Sequence, residues 1–148
     1  MNREKKTVNL KNSIDKKKSF VLDSYALLAY FADEKGRETV EKILKNASNN
    51  DVLLRMSVVN LGEVIYIAER KRGLQAAQLT LSRTRELPIR LINIDEELAL
   101  AAAHIKARYA ISYADCFAAA LSIQHRSILL TGDPEFKKIK KDIEIHWL

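Results

Sequence analysis

The chain has 148 residues, 47% of them hydrophobic, which is enough to bury one core and too little for two ordinary domains. It has no uncharged apolar run long enough to span a membrane and no apolar segment typical of a secretory signal, so we expect a cytoplasmic protein without membrane contact. Its single cysteine, Cys116, excludes an internal disulfide and a multi-cysteine zinc site.

The positive charge is concentrated at the N-terminus. Residues 1–18 carry seven basic and two acidic side chains, so they account for five of the six net positive charges. We expect residues 1–18 to form a basic, flexible leader, with a phosphate-steering arm as the alternative, and residues 19–148 to form the folded domain. The nearly neutral remainder says little about the partners of that domain.

Short apolar runs alternate with helical patterns along residues 19–148. Helices are predicted at residues 26–31, 38–45, 57–72, 74–86, 95–108 and 112–125, with a short helix after Pro134. Strands are predicted at residues 20–22, 52–56, 89–94, 127–130 and 143–146. Because strands separated by long helices need crossover connections, the predicted fold is an α/β three-layer sandwich: a central, mostly parallel sheet of four to five strands flanked by helices.

Three aspartates stand at the ends of these predicted elements. Asp23 follows the first strand, Asp115 begins the helix before the fourth strand, and Asp133 follows the fourth strand. Each also has a structural explanation. Asp23 is a possible helix N-cap, Asp115 completes a capping box with Ser112, and Asp133 precedes Pro134 as an N-cap does.

Glu63 is harder to explain by structure alone. It lies one helical turn from Val59 and Ile67, beside an apolar stripe, and no basic residue stands three or four positions away. A carboxylate buried there would need a compensating partner, either a metal ion or a distant arginine.

The four acids are expected to meet at one edge of the sheet. In a doubly wound sheet the first strand commonly lies beside the strand after the later crossover, which would bring Asp23 and Asp133 together. Carboxylates gathered without a built-in basic residue repel one another unless a cation joins them. Oxygen ligands favour Mg²⁺ or Mn²⁺, so we expect a divalent-ion site formed by Asp23, Glu63, Asp115 and Asp133.

Four stretches of the sequence carry a resemblance to a known family. They are VLDSYALLA at residues 21–29, SVVNLGEV at 57–64, SYADCFAAA at 112–120 and LTGDPEF at 130–136. In this order they resemble the PIN domain, and in particular the VapC-like ribonuclease toxins of bacterial and archaeal toxin-antitoxin pairs. The resemblance covers about residues 19–148, and the basic leader is a departure from it.

The resemblance implies a Mg²⁺- or Mn²⁺-dependent endoribonuclease that forms a homodimer and is held inactive by a cognate antitoxin. It assigns Asp23, Glu63, Asp115 and Asp133 to the acidic positions of the family. Ser24 and Thr131 match hydroxyl positions beside those acids and are expected to support them by hydrogen bonds.

Further sequence features bear on this hypothesis. His104, His125 and His146 fall outside every motif, which argues against metal-free acid-base catalysis, and His125 is expected to favour a helix C-terminus. The apolar run at residues 64–67 indicates either a dimer surface or a helix buried within the domain. The three consecutive basic residues 70–72 either contact phosphate groups or, as we favour, form a solvated face.

Two alternative functions remain open at this stage. A metal-dependent phosphatase of the haloacid-dehalogenase type would carry a second aspartate two positions after the first, where this chain has Tyr25. A non-catalytic module that binds RNA or protein would not need all four acids, and all four are present.

Overall fold

The computed structural model describes residues 17–148, so the predicted leader lies almost wholly outside the described residues. Within that range the strands are β1 (Ser19–Leu22), β2 (Leu53–Ser57), β3 (Arg90–Ile92), β4 (Ile128–Thr131) and β5 (Ile145–Trp147). The α-helices are α1 (Ser24–Ala32), α2 (Arg37–Ser48), α3 (Val58–Arg72), α4 (Leu74–Glu86), α5 (Glu96–Arg108) and α6 (Tyr113–Gln124). A 3₁₀ helix, Pro134–Ile139, follows β4.

The strands form one sheet in the order β3-β2-β1-β4-β5, and every neighbouring pair is parallel. β1 is central: Phe20 is in register with Leu54 of β2 and with Ile128 of β4. The predicted α/β sandwich is confirmed, and the described sheet is wholly rather than mostly parallel. Because β1 and β4 are neighbours, the residues that follow them emerge side by side at one edge.

The sheet is covered on both faces, because alternate strand residues point to opposite sides. Val21 packs against α6 on one face, and Leu22 packs against α2 on the other. Both side chains are fully buried, and each such burial stabilises the fold by about 1.5–3 kcal/mol. No helix in residues 17–148 is long and apolar enough to cross a membrane.

Several boundaries differ from those predicted. β3 has three residues, where residues 89–94 were predicted, because this edge strand pairs with β2 alone, between Arg90 and Ile92. The 3₁₀ helix occupies the turn after β4, where Pro134 at the first position lacks the N–H that a preceding helical turn would use. These differences leave the acidic residues at the element ends where the sequence placed them.

Candidate active site

Asp23 joins the start of α1 to the neighbouring strand β4. Its Oδ1 accepts the hydrogen bond of the Ala26 backbone N–H at 2.9 Å, so it is the N-cap of α1. Its Oδ2 accepts a hydrogen bond from the Thr131 hydroxyl at 2.5 Å. The side chain is 1% exposed. Asp23 therefore caps a helix and also faces the edge of the sheet where β1 and β4 end.

The environment of Asp23 disfavours its charge. Burial is the largest influence and raises its pKa, the hydrogen bonds from Thr131 and Ala26 lower it, and the nearby charges of Asp115 and Asp133 raise it again. The result is a pKa of about 7, against an ordinary value of 3.8. At neutral pH Asp23 is poised between its protonated and ionised forms.

Asp115 lies in the first turn of α6 and is 7% exposed. Its backbone N–H donates to the Ser112 hydroxyl at 3.1 Å, which is the N-cap contact that its capping box predicts. Burial raises its pKa to about 6, opposed by a hydrogen bond with Ser112 and reinforced by the charges of Asp133, Glu63 and Glu135. Asp115 is therefore within electrostatic reach of three acids from two other segments of the chain.

Asp133 is held beside Asp23 by a shared neighbour. Its backbone N–H donates to the Thr131 hydroxyl at 3.0 Å, and its Oδ1 accepts from the Glu135 N–H at 2.9 Å. The Thr131 hydroxyl, fully buried, thus donates to Asp23 and accepts from Asp133. This one hydroxyl fixes the spacing of the two aspartates across the β1–β4 pair.

Glu63 lies on the second turn of α3 and reaches the site only through its influence on Asp115. It is half-buried rather than enclosed, so the need for a compensating partner is weaker than the sequence suggested.

Glu135 is a further acid near Asp115 that the sequence analysis did not select. It is exposed and forms an ion pair with Lys138 at 2.8 Å.

Asn60 is a second residue that the sequence analysis missed. It is fully buried on the first turn of α3. Its side-chain amide donates to the backbone carbonyl of Ala114 at 3.1 Å, and its backbone carbonyl accepts from the Ser24 hydroxyl at 3.1 Å. Ser24 follows Asp23, and Ala114 precedes Asp115. Asn60 therefore ties together the starts of the two helices that carry these acids, and Ser24 supports the site through Asn60 rather than by contact with an acid.

The side chains fit a hard divalent cation in kind and in charge. All the acids offer carboxylate oxygens, and the mutual repulsion that raises the pKa of Asp23 and of Asp115 would be relieved by a cation. Within residues 17–148, no three His, Cys, Asp or Glu side chains are already closed into a metal-holding group. The carboxylate oxygens therefore suit a divalent ion, but the described side chains are not already arranged around one ion position.

Among residues 17–148, no histidine side chain forms a hydrogen bond or ion pair with these acids. His104 and His146 are exposed, and His125 is the C-cap of α6, at the end opposite to Asp115. His125 lies at a helix C-terminus as predicted, and burial together with the charges of Arg55 and Arg90 lowers its pKa.

A groove of about 480 Å³ runs between α1 and α3. Its walls include the apolar side chains of Leu28, Phe31 and Ile67, and Tyr25, two residues after Asp23, also lines it. A Cβ atom at Gly132 would collide with the Tyr25 ring, so the glycine after Thr131 lets this ring pack against the turn.

With this geometry described, the family follows. The sequence profile of the PIN domain matches residues 20–142, which is most of the chain, so the chain belongs to the PIN domain family. The match includes Asp23, Glu63, Asp115 and Asp133. No curated protein sequence matches the chain at a significant level.

Solved structures share the fold at low sequence identity. VapBC2 from Rickettsia felis, solved with a promoter DNA fragment, is 16% identical, with a TM-score of 0.69 over 86% of this chain and 97% of that one. The DNA-bound VapBC of Salmonella typhimurium is 19% identical, with a TM-score of 0.68 over 87% and 97%. VapC20 of Mycobacterium tuberculosis, a toxin that cleaves the sarcin-ricin loop, is 16% identical, with a TM-score of 0.65 over 80% and 92%.

Proposed function

We propose that the protein is a Mg²⁺- or Mn²⁺-dependent endoribonuclease of the cytoplasm and the toxin of a toxin-antitoxin pair. One observation carries the proposal: in a PIN domain, Asp23 and Asp133 share the Thr131 hydroxyl at the edge of the sheet, and Asp115 lies close enough to raise the pKa of Asp23. Acids gathered in this way suit the binding of a cation and of a phosphodiester attached to it.

In the proposed mechanism Asp23, Asp115 and Asp133 would hold the divalent ion. When bound, such an ion lowers the pKa of water and neutralises charge that develops on phosphate oxygens. Thr131 keeps one oxygen of Asp23 fixed, and the N-terminal end of α6 favours the ionised form of Asp115. Glu63, which is half-buried and so more accessible to water than Asp23 or Asp115, would either support the ion or accept the proton of the attacking water.

The reaction does not need the ribose 2′-hydroxyl, because water is the nucleophile. We expect products with 5′-phosphate and 3′-hydroxyl ends. The test is cleavage of end-labelled structured and unstructured RNA with and without Mg²⁺, followed by analysis of the ends. Asp23→Asn and Asp115→Asn should abolish cutting, and Glu41→Gln, which changes an exposed acid on α2, should cut like the wild type. Equal cutting by all variants, or 2′,3′-cyclic phosphate ends, would overturn the proposal.

An antitoxin is the proposed protein partner, because the structurally similar VapBC proteins were solved as toxin-antitoxin complexes. The groove between α1 and α3 offers apolar walls to a segment of the antitoxin. A segment bound there would contact Tyr25, whose ring packs against the turn that carries Asp133, and would obstruct the RNA from that side. The product of an adjacent short reading frame should co-purify with the chain and inhibit cleavage. Replacement of Leu28 by glutamate in the groove should weaken that complex, whereas Glu41→Gln should not.

A homodimer is also proposed, with α3 at its surface. Val64 is buried in the domain core, but Tyr66 is 49% exposed and Ile65 and Ile67 are only partly buried. The domain therefore leaves part of this apolar run uncovered, as the dimer hypothesis requires. Sedimentation should show a dimer for the wild type and a monomer for Tyr66→Glu, and a monomeric wild type would refute this surface.

A further inference from the structure

A group of basic side chains lies at the far end of the sheet from the acids. Arg55 of β2 and Arg90 of β3 are partners in the parallel register, so both point to the same face of the sheet. This is the face covered by α6, because Arg55 is also in register with Val21. His125, the residue that ends α6, is the third member of what we call the basic cluster: Arg55, Arg90 and His125.

Hydroxyl groups extend the basic cluster along the edge of the sheet. Arg55 Nη1 donates to Ser19 Oγ at 2.6 Å, and Ser19 Oγ and Ser127 Oγ are 2.6 Å apart. The Ser127 hydroxyl also reaches the carbonyl of His125, at 3.3 Å. These contacts hold Arg55 in place and line up two hydroxyls beside it. Arg90 is exposed and free to meet a ligand from solvent.

The basic cluster has no acidic partner among the residues that the structure describes. Between residues 17 and 148, ion pairs within 4.0 Å join Arg37 to Asp33 and Lys138 to Glu135, both elsewhere. The positive charges of Arg55 and Arg90 lower the pKa of His125, in addition to the effect of burial. Like charges brought together without a counter-charge repel one another, and an anion would relieve this repulsion.

We propose that Arg55, Arg90 and His125 form a second site, which binds a phosphate group. Paired guanidinium groups on strands about 4.8 Å apart can each present N–H donors to one phosphate, a geometry that arginine recognises well.

The phosphate belongs either to an RNA backbone or to a small free phosphate compound, and the chemistry of recognition is the same. α6 has 12 residues and so separates the two charged ends of the domain by about 18 Å. A strand held at the basic cluster would therefore be bound well away from the acids. The site does not depend on the proposed nuclease activity, because binding can be followed in a variant that does not cut.

The experiment uses the imidazole NMR signals of the three histidines in full-length Asp23→Asn protein at constant pH. Inorganic phosphate and a short single-stranded RNA are titrated in separate arms. We expect the His125 signal to move in a saturable way, while those of His104 and His146 stay in place. Arg90→Gln should weaken binding about tenfold or more, and Arg55→Lys should weaken it less. The matched control is Arg85→Gln, which changes an exposed arginine of α4 and should bind as the parent does.

A saturable His125 response to either probe that Arg90→Gln weakens supports the site, and the two arms distinguish an RNA backbone from a free phosphate. No response of His125 to either probe, or an equal response in Arg90→Gln, would overturn the proposal. Residues 1–16 contain two further acids, Glu4 and Asp15. If the His125 signal responds only after Glu4 and Asp15 are changed to amides, these two acids neutralise the basic cluster in the natural chain. This result too would overturn the proposed phosphate site.

Discussion

Replacement of Thr131 by valine tests how the acids are held together. Valine keeps the size and branching of threonine but removes the hydroxyl that donates to Asp23 and accepts from the Asp133 N–H. A hydrogen bond to a charged group contributes about 1.5–3 kcal/mol, and the abandoned N–H adds to the loss. We therefore expect the free energy of unfolding to fall by about 2–4 kcal/mol at pH 8, where Asp23 is mostly ionised.

The same change should alter the pH dependence of activity. The Thr131 hydrogen bond is the largest influence that lowers the pKa of Asp23, so its loss should raise that pKa above about 7. If ionised Asp23 is needed, each further unit of pKa lowers the active fraction about tenfold at pH values below the original pKa of about 7, and by less above it. The assay is RNA cleavage in Mg²⁺ between pH 6 and 9, together with denaturant unfolding of the same samples.

Thr131→Ser is the matched control, because it keeps the hydroxyl and loses only a methyl group, a change of about 1 kcal/mol. The serine variant should retain the wild-type pH profile, and the valine variant should need a higher pH for the same rate. A valine variant with an unchanged profile would refute the bridging role of Thr131. A serine variant as impaired as valine would show that packing of the methyl group, and not the hydroxyl, is what matters.

Four further predictions concern the same edge of the sheet. Because the folded state holds a proton on Asp23 up to about pH 7, against 3.8 ordinarily, stability without metal should fall as the pH rises from about 4 to 7, and Asp23→Asn should flatten this slope in chelator-treated unfolding experiments. Added Mg²⁺ or Mn²⁺ should raise the melting temperature of the wild type more at pH 7.5 than at pH 5.5, because protons compete for the carboxylates, and should leave Asp23→Asn largely unchanged. Asn60→Ala should cost about 2–4 kcal/mol of stability and slow cleavage, whereas Asn49→Ala, at an exposed site, should do neither in the same assays. Gly132→Ala should displace the Tyr25 ring, which tyrosine fluorescence or NMR would detect, and lower the melting temperature.

The sequence predicted the three-layer arrangement of helices and sheet, and it placed the aspartates at the ends of strands and helices. Both predictions depend on local sequence pattern. Apolar runs that end in Asp23 or Asp133 identify the carboxyl ends of strands, and parallel strands bring those ends to one edge. The sequence offered Asp23 as a helix cap or as a site residue. The cap is confirmed by the hydrogen bond from Ala26, and the second carboxylate oxygen accepts from Thr131, while the role of Asp23 in a metal site stays a prediction.

Other features depend on contacts between distant segments and could not be predicted. The hydrogen bond from Asn60 to Ala114 joins residues 54 positions apart, and nothing in the local pattern of α3 indicates it. The half-exposed position of Glu63 depends on how α3 turns against its neighbours, a rotation that an apolar stripe defines only coarsely. The ligand arrangement at the acids depends on side-chain rotamers, which strand order does not determine.

The burial of α6 has a consequence for the spacing of charge in this domain. Every residue of this helix from Asp115 to Ser122 is buried, so the helix is clamped by the core along most of its length. It therefore behaves as a rigid rod with an acid near one tip and His125 at the other. Inserting a single residue in its middle would rotate one tip by about 100° relative to the other. Because the side chains along the helix are buried, this rotation would also take half of them out of register with the core, so the fold itself fixes the spacing between the two tips.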